Sequence, residues 1–192
     1  MRRRDEARLL VRHRSGETGA FAALVEAYRA PVYGYLVRCG VAEADRDDLF
    51  QEIFIRVHRA AADYDDGRPL HPWLFTIVAN AVRNHRRQNR VREIVFSAAA
   101  DDVGSEPTDP APDGEELVRA RQTRRWLERQ IGRLPLIQRE VLILTCIERL
   151  PQKQVARILE IPVNTLKTHL RRARLSLMKK LARRRVRDEA PS

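Results

Sequence analysis

Between Ala20 and Val37 the apolar residues Phe21, Leu24, Val25, Tyr28, Val32, Tyr35 and Leu36 recur at intervals of three and four. That spacing predicts a helix with one buried face, which Pro31 is placed to kink. After Cys39-Gly40 a second helix is predicted from Ala42 to about Ala61, with Leu49, Ile53, Phe54 and Val57 turned to a core. The segment Asp63 to His71, DYDDGRPLH, is built of turn residues. A third helix follows, with Pro72 suited to its first turn and Trp73, Leu74, Ile77, Val78, Ala81 and Val82 as its apolar side. These elements predict an amino-terminal bundle that ends near Arg92.

From Ser97 to Glu116 the pattern changes to small and acidic residues broken by Pro107, Pro110 and Pro112. Such a composition buries too little apolar area to offset its ordering entropy, so a flexible linker is expected. At roughly 3.3 to 3.6 Å per residue it can span about 65 to 70 Å. Beyond it, Leu117 to Ile131, Leu136 to Ile147, Gln152 to Leu159 and Val163 to Leu181 read as four helices. No repeat and no sustained strand alternation is present. The expectation is an all-α fold of two small helical domains, residues 1–96 and 117–192, joined by the acidic linker 97–116.

Charge sharpens this picture. The 192-residue chain carries 37 Lys and Arg against 26 Asp and Glu, a formal charge of +11. Residues Asp101 to Glu116 hold seven of the acids and none of the bases, which leaves +18 for the rest of the chain. A cationic excess concentrated in the folded parts points to a polyanionic partner. Cys39 and Cys146 lie in separate apolar stretches, so neither a disulfide framework nor a thiolate metal cluster is indicated, and a reducing cytoplasm fits. The opening MRRRDEARLLVRHRSGE does not resemble a signal peptide. No segment approaches the roughly 20 apolar residues that cross a bilayer, so no membrane insertion is expected.

Three surfaces carry candidate chemistry. Pro151 to Arg174 reads as a short helix, a tight turn and a second helix, with Val155, Ala156, Leu159, Ile161, Leu166 and Leu170 as the set that locks the pair. Asn164, Thr165, Lys167, Thr168, Arg171, Arg172 and Arg174 are left around the outside. Arg and Lys reach guanine acceptors in a major groove, Asn pairs with adenine, and the other cations neutralise phosphate. A solvated basic face is the alternative, but turn spacing, apolar pattern and charge all agree with a DNA reader.

On the third helix, Thr76, Asn80, Arg83, Asn84 and Arg87 recur on the side away from the core, and no carboxylate occurs between Pro72 and Arg92. Trp73 is either a core anchor or a platform for an unstacked base. On the second helix Asp45, Asp48, Gln51, Glu52 and Arg56 form a polar side, suited to a protein partner or to solvent alone. Asp48 and Glu52 have no accompanying ligand constellation, so no metal or other cofactor is expected. Nor is there a glycine-rich phosphate loop, nucleophile elbow or paired-His motif, and no enzymatic activity is expected.

In these segments the chain resembles the bacterial RNA polymerase sigma factors of the extracytoplasmic-function group, which carry only the second and fourth sigma regions. DRDDLFQEIFIRV is similar to that family's polymerase-binding helix and HPWLFTIVANAVRNHRR to its promoter-melting segment. RLPLIQREVLIL with PQKQVARILEIPVNTLKTHLRRARLSLMKKL is similar to its fourth region.

The resemblance implies that Asp48, Gln51, Glu52 and Arg56 dock on core RNA polymerase. It implies that the loop with Asp66 and Arg68 pockets a flipped base of the minus ten element of promoter DNA, bordered by Trp73, Asn80, Arg83, Asn84 and Arg87. The outer face of the last helix would read the minus thirty-five element. An anti-sigma factor is the partner expected to hold such a protein inactive; a free-standing helix-turn-helix regulator is the competing reading. The chain departs from the family's pattern at Gln154, Val155 and Pro162, at His58, where an aromatic is common, and at Glu160, where glycine is common. A positive φ there would cost Glu about 1 kcal/mol relative to Gly.

Overall fold

The computed structural model describes the backbone of residues 3–95 and 115–188 and the side chains of 6–89 and 121–184. Every regular element among the described residues is helical, and the chain divides into two compact units.

The first unit holds α1 (Arg3–Arg14), α2 (Ala20–Arg38), α3 (Glu43–Ala60) and α4 (Leu70–Val95). Its core follows the three-and-four spacing: Leu24, Tyr28, Val32, Tyr35 and Leu36 of α2 are buried, as are Leu49, Ile53 and Val57 of α3. Aromatic pairs stitch the helices. Tyr35 meets Phe75 edge-on with ring centroids 5.8 Å apart, Tyr28 stacks on His71 at 5.8 Å, and Phe21 meets Phe54 edge-on at 6.4 Å. Each such side chain withdrawn from water contributes about 1.5–3 kcal/mol.

α2 continues through Pro31 without ending. Phe50, Phe75 and Ala79 are also buried, so α3 and α4 present wider apolar arcs than the spacing alone marks. Arg46 is buried as well, its Nε donating to the Val41 carbonyl at 3.0 Å.

α1 is an element that the apolar pattern did not predict. Its buried apolar residues are the adjacent pair Leu9 and Leu10, too few for a periodic stripe. Tertiary contacts hold it instead: it packs on α4, and the Tyr28 hydroxyl donates to Glu6 Oε2 at 2.9 Å.

The second unit holds α5 (Glu115–Gly132), α6 (Leu136–Leu142), α7 (Gln152–Ile158) and α8 (Val163–Asp188), with α8 packed against α5, α6 and α7. Two expectations are corrected here. Glu115 and Glu116, assigned to the linker, belong to α5, and α8 runs seven residues past Leu181. The rest of the predicted linker lies outside the described residues. The expected helix Leu136 to Ile147 changes register within its length: Ile143–Ile147 forms a π-turn, with Thr145 Oγ1 donating back to the Val141 carbonyl at 2.6 Å.

Candidate polymerase and nucleic-acid interfaces

On α3 the alternation of buried and exposed positions fixes which side chains face outward. Leu49, Ile53 and Val57 turn inward, and Asp48, Gln51 and Glu52 are exposed on the other side. Arg56 is half-buried and forms an ion pair with Glu52 one turn away. Ile55 shares this outer side and is 50% exposed, an apolar residue among polar ones. Its spacing from Asp48, i to i+7, was the signal that could have singled it out.

The loop between α3 and α4 is tightly organised. Asp65 closes its tip: the Gly67 amide donates to Oδ1 at 2.9 Å, Arg68 Nε donates to Oδ2 at 3.0 Å, and the Arg68 amide donates to the Asp65 carbonyl at 2.9 Å. Tyr64 is the buried pillar of the loop; its hydroxyl donates to the Arg68 carbonyl, and its ring packs on Trp73 with centroids 4.9 Å apart. Burial foremost, then the Asp66 and Asp65 carboxylates, push the Tyr64 phenol above its ordinary pKa, so the hydroxyl stays a donor. Asp66 and Arg68 are exposed, and Asp66 Oδ1 accepts from Arg14 Nη1 of α1 at 2.6 Å.

Trp73 is half-buried at the start of α4, with one side of its ring on Tyr64. Along the same helix Asn80 and Arg87 are exposed, and Arg83 and Asn84 are half-buried. The Thr76 hydroxyl is turned back to the Pro72 carbonyl at 2.9 Å. Near the far end His85 Nε2 lies 3.2 Å from Asp45 Oδ2, with Asn89 Nδ2 3.4 Å from the same oxygen, which pins α4 to the first turn of α3.

The helix-turn-helix forms from α7 and α8. Val155, Ala156, Leu159, Leu166 and Leu170 are buried, and Ile161 is half-buried. Opposite Leu166, Leu170 and Ala173, the surface of α8 presents Asn164, Lys167, Thr168, Arg171, Arg172 and Arg174, all exposed, with Thr165 half-buried. Lys167, Arg171 and Arg172 form no ion pair among the described residues, so their charge is available to a polyanion. Arg174 Nη2 sits 3.3 Å from Cys146 Sγ, and the Thr168 hydroxyl donates to the Asn164 carbonyl at 3.0 Å. From Val163 to Arg187 there is no acid.

Both matching family models follow this division. Residues 24–92 match Sigma-70 region 2, and residues 124–177 match Sigma-70 region 4. The chain is 33% identical to the RNA polymerase sigma factor NccH of Alcaligenes xylosoxydans xylosoxydans, over 90% of this chain and 92% of that one. It is 28% identical to the ECF RNA polymerase sigma factor SigW of Bacillus subtilis, over 88% and 92%.

Among solved structures, CnrH in complex with the cytosolic domain of CnrY is similar at 26% identity and a TM-score of 0.61, covering 92% of this chain and 97% of that one. The sigma factor RpoE of Bartonella quintana, solved with the anti-sigma factor NepR, shares the fold at 20% identity and a TM-score of 0.67, covering 86% and 98%. The chain belongs to the RNA polymerase sigma factors of the extracytoplasmic-function type. A free-standing helix-turn-helix regulator is set aside, because a Sigma-70 region 2 precedes the DNA-reading unit.

Proposed function

We propose that this sigma factor docks on core RNA polymerase through Asp48, Gln51, Glu52 and Arg56 of α3, and directs the enzyme to promoters at two elements. Asp66, Arg68 and Trp73 take an extruded base of the minus ten element, and Asn80, Arg83, Asn84 and Arg87 line the strand that leaves the duplex. Asn164, Thr165, Lys167, Thr168, Arg171, Arg172 and Arg174 read the minus thirty-five element. Opening works by capture: unstacking a base costs a few kcal/mol, which a pocket and a cationic strand path offset. With both units on one chain, the second contact becomes intramolecular, so each can be weak alone. The protein recruits and positions; bond formation belongs to the polymerase.

The observation that carries this reading is the pair of acid-free stretches, on α4 and on α8, each on a helix of a different matched sigma region. CnrH solved with the cytosolic domain of CnrY, and RpoE solved with the anti-sigma factor NepR, support an anti-sigma factor as a further partner of this chain. Its place of action is the cytoplasm, and no described helix is long and apolar enough to cross a membrane.

The test is transcription in vitro from a library of random promoters by bacterial core polymerase, with and without the protein. The expected result is RNA from a subset sharing two spaced elements; RNA that does not depend on the protein overturns the reading. Changing Asp48 and Gln51 together to Ala lowers affinity for core polymerase on the order of tenfold or more, as for central interface residues, with the melting temperature unchanged. Retained binding moves the interface off α3.

A further inference from the structure

We infer that Arg14, outside every surface assigned above, is a positioning residue that sets the base preference of the Asp63–Pro69 loop. This rests on the proposed minus ten pocket. Arg14 Nη1 reaches two points of the loop at once, donating to the Tyr64 carbonyl at 3.1 Å and to Asp66 Oδ1 at 2.6 Å. The two contacts cross 50 and 52 residues of chain. Within the loop, Asp65 is spent on closing the tip, so it ties the loop to itself and not to the bundle.

The far end of the tie is itself fixed. Arg14 is the last residue of α1, and that helix stops sharply at Gly16, with φ +82°, where the Glu17 amide donates to the Arg12 carbonyl at 3.0 Å. Leu10 is fully buried, Glu6 accepts from Tyr28, and His13 Nε2 lies 2.9 Å from His58 Nδ1. α1 is therefore anchored to α2 and α3 before Arg14 reaches the loop.

The consequence is chemical. With Oδ1 engaged, Asp66 is held in one rotamer and its Oδ2 has no partner among the described residues. An oriented carboxylate oxygen accepts from the exocyclic amine that cytosine, adenine and guanine carry on the Watson–Crick edge of a flipped base, whereas thymine has no such amine and flanks its ring N–H with two carbonyls. Arg14 also sets a cation against one of three carboxylates in a loop that must approach a polyanion. The loop accordingly selects a base bearing an exocyclic amine, and Arg14 makes that selection sharp.

The experiment uses holoenzyme reconstituted from core polymerase and full-length protein, on four promoters that differ only at the flipped position of the minus ten element. The readout is the ratio of open-complex formation among the four bases. Wild type favours the three amine-bearing bases over thymine on the order of tenfold. R14Q flattens the ratio to within about threefold, with affinity for core polymerase unchanged, and R14K restores most of it. D66N leaves an amide oxygen that can still accept from Arg14 but puts an N–H donor where the reading oxygen stood, so it shifts the preference toward thymine, and R14A stands in should R14Q fail to fold.

Preference retained in R14Q or D66N overturns the inference, whatever happens to the overall rate. W73A separates the two levels. If it alters the base ratio while R14Q and D66N do not, the pocket stands and the role of Arg14 falls. If W73A, R14Q and D66N all leave the ratio unchanged, the loop is not the pocket, and both readings fall.

Discussion

In each unit two helical segments end on the same device, built from different residues. In the first unit α1 closes at Gly16, where the Glu17 amide reaches the Arg12 carbonyl, and α2 closes at Gly40, where the Val41 amide reaches the Leu36 carbonyl, each at 3.0 Å. In the second unit α7 closes at Glu160, φ 54°, where the Ile161 amide reaches the Ala156 carbonyl at 3.0 Å. The π-turn closes at Arg149, φ 57°, one residue further on, with the Leu150 amide on the Leu144 carbonyl at 2.9 Å. These are left-handed caps, which glycine occupies without cost and other residues do not.

The candidate sites differ in a parallel way. The loop of the first unit is a constructed object, tied at Tyr64, Asp65 and Asp66, and the role proposed for it depends on shape. The outer face of α8 is a row of exposed cations on one helix, and the role proposed for it depends on charge and spacing. Substitutions in the first unit should therefore act through structure, and those on α8 through electrostatics.

The largest effect tests the structural half. Phe75 is fully buried between Tyr35 and His71. Phe75→Ala should cost about 3–5 kcal/mol, a large share of the stability of a typical domain. Thermal denaturation measures it, and a melting temperature within a degree or two of wild type would show that α4 is not held by this core. The electrostatic half predicts the reverse profile. Arg171→Ala with Arg172→Ala should change stability by no more than about 0.5 kcal/mol. The slope of log affinity for the upstream element against log salt should fall by about 2 if both contact phosphate. An unchanged slope, measured with holoenzyme, removes this face from DNA.

How far the sequence disclosed these properties follows the same physics. Most helices were legible because their buried residues repeat at three and four, and the helix-turn-helix was legible because turn, apolar lock and basic arc agree. α1 was not, since it buries adjacent Leu9 and Leu10 and depends on partners far along the chain. The π-turn was hidden because it begins within an apolar run, Val141 to Leu144, that fits a continuous helix. The last turns of α8 follow Leu181 with Arg after Arg, good helix formers that carry no apolar stripe. Among site residues the charged types were visible, but the Arg14–Asp66 tie spans 52 residues and no local spacing encodes it. Glu160 was legible as a conditional cost, and its φ of 54° makes the condition real.

The cap comparison gives paired predictions of smaller size. Glu160→Gly and Arg149→Gly should each stabilise by about 1 kcal/mol. Gly16→Ala should destabilise by a similar amount, about 1 kcal/mol, from backbone alone, because no atom lies within 4 Å of an added Cβ. Denaturant midpoints at constant m-value read all three. If Gly16→Ala and Glu160→Gly shift the midpoint in the same direction, the caps are not equivalent devices.

An effect no larger than those of the caps belongs to Tyr64. Its folded-state pKa is raised, by burial first and then by Asp66 and Asp65, so folding favours the neutral phenol. That contribution is fully present below the unfolded pKa of about 10 and is lost as pH rises through the folded value. Wild type should therefore lose melting temperature more steeply above about pH 10 than Tyr64→Phe does. At neutral pH the Phe variant should be less stable by about 1 kcal/mol, for the hydrogen bond its hydroxyl donates to the Arg68 carbonyl. Parallel alkaline slopes in the two proteins would mean that the phenol is not the group titrating.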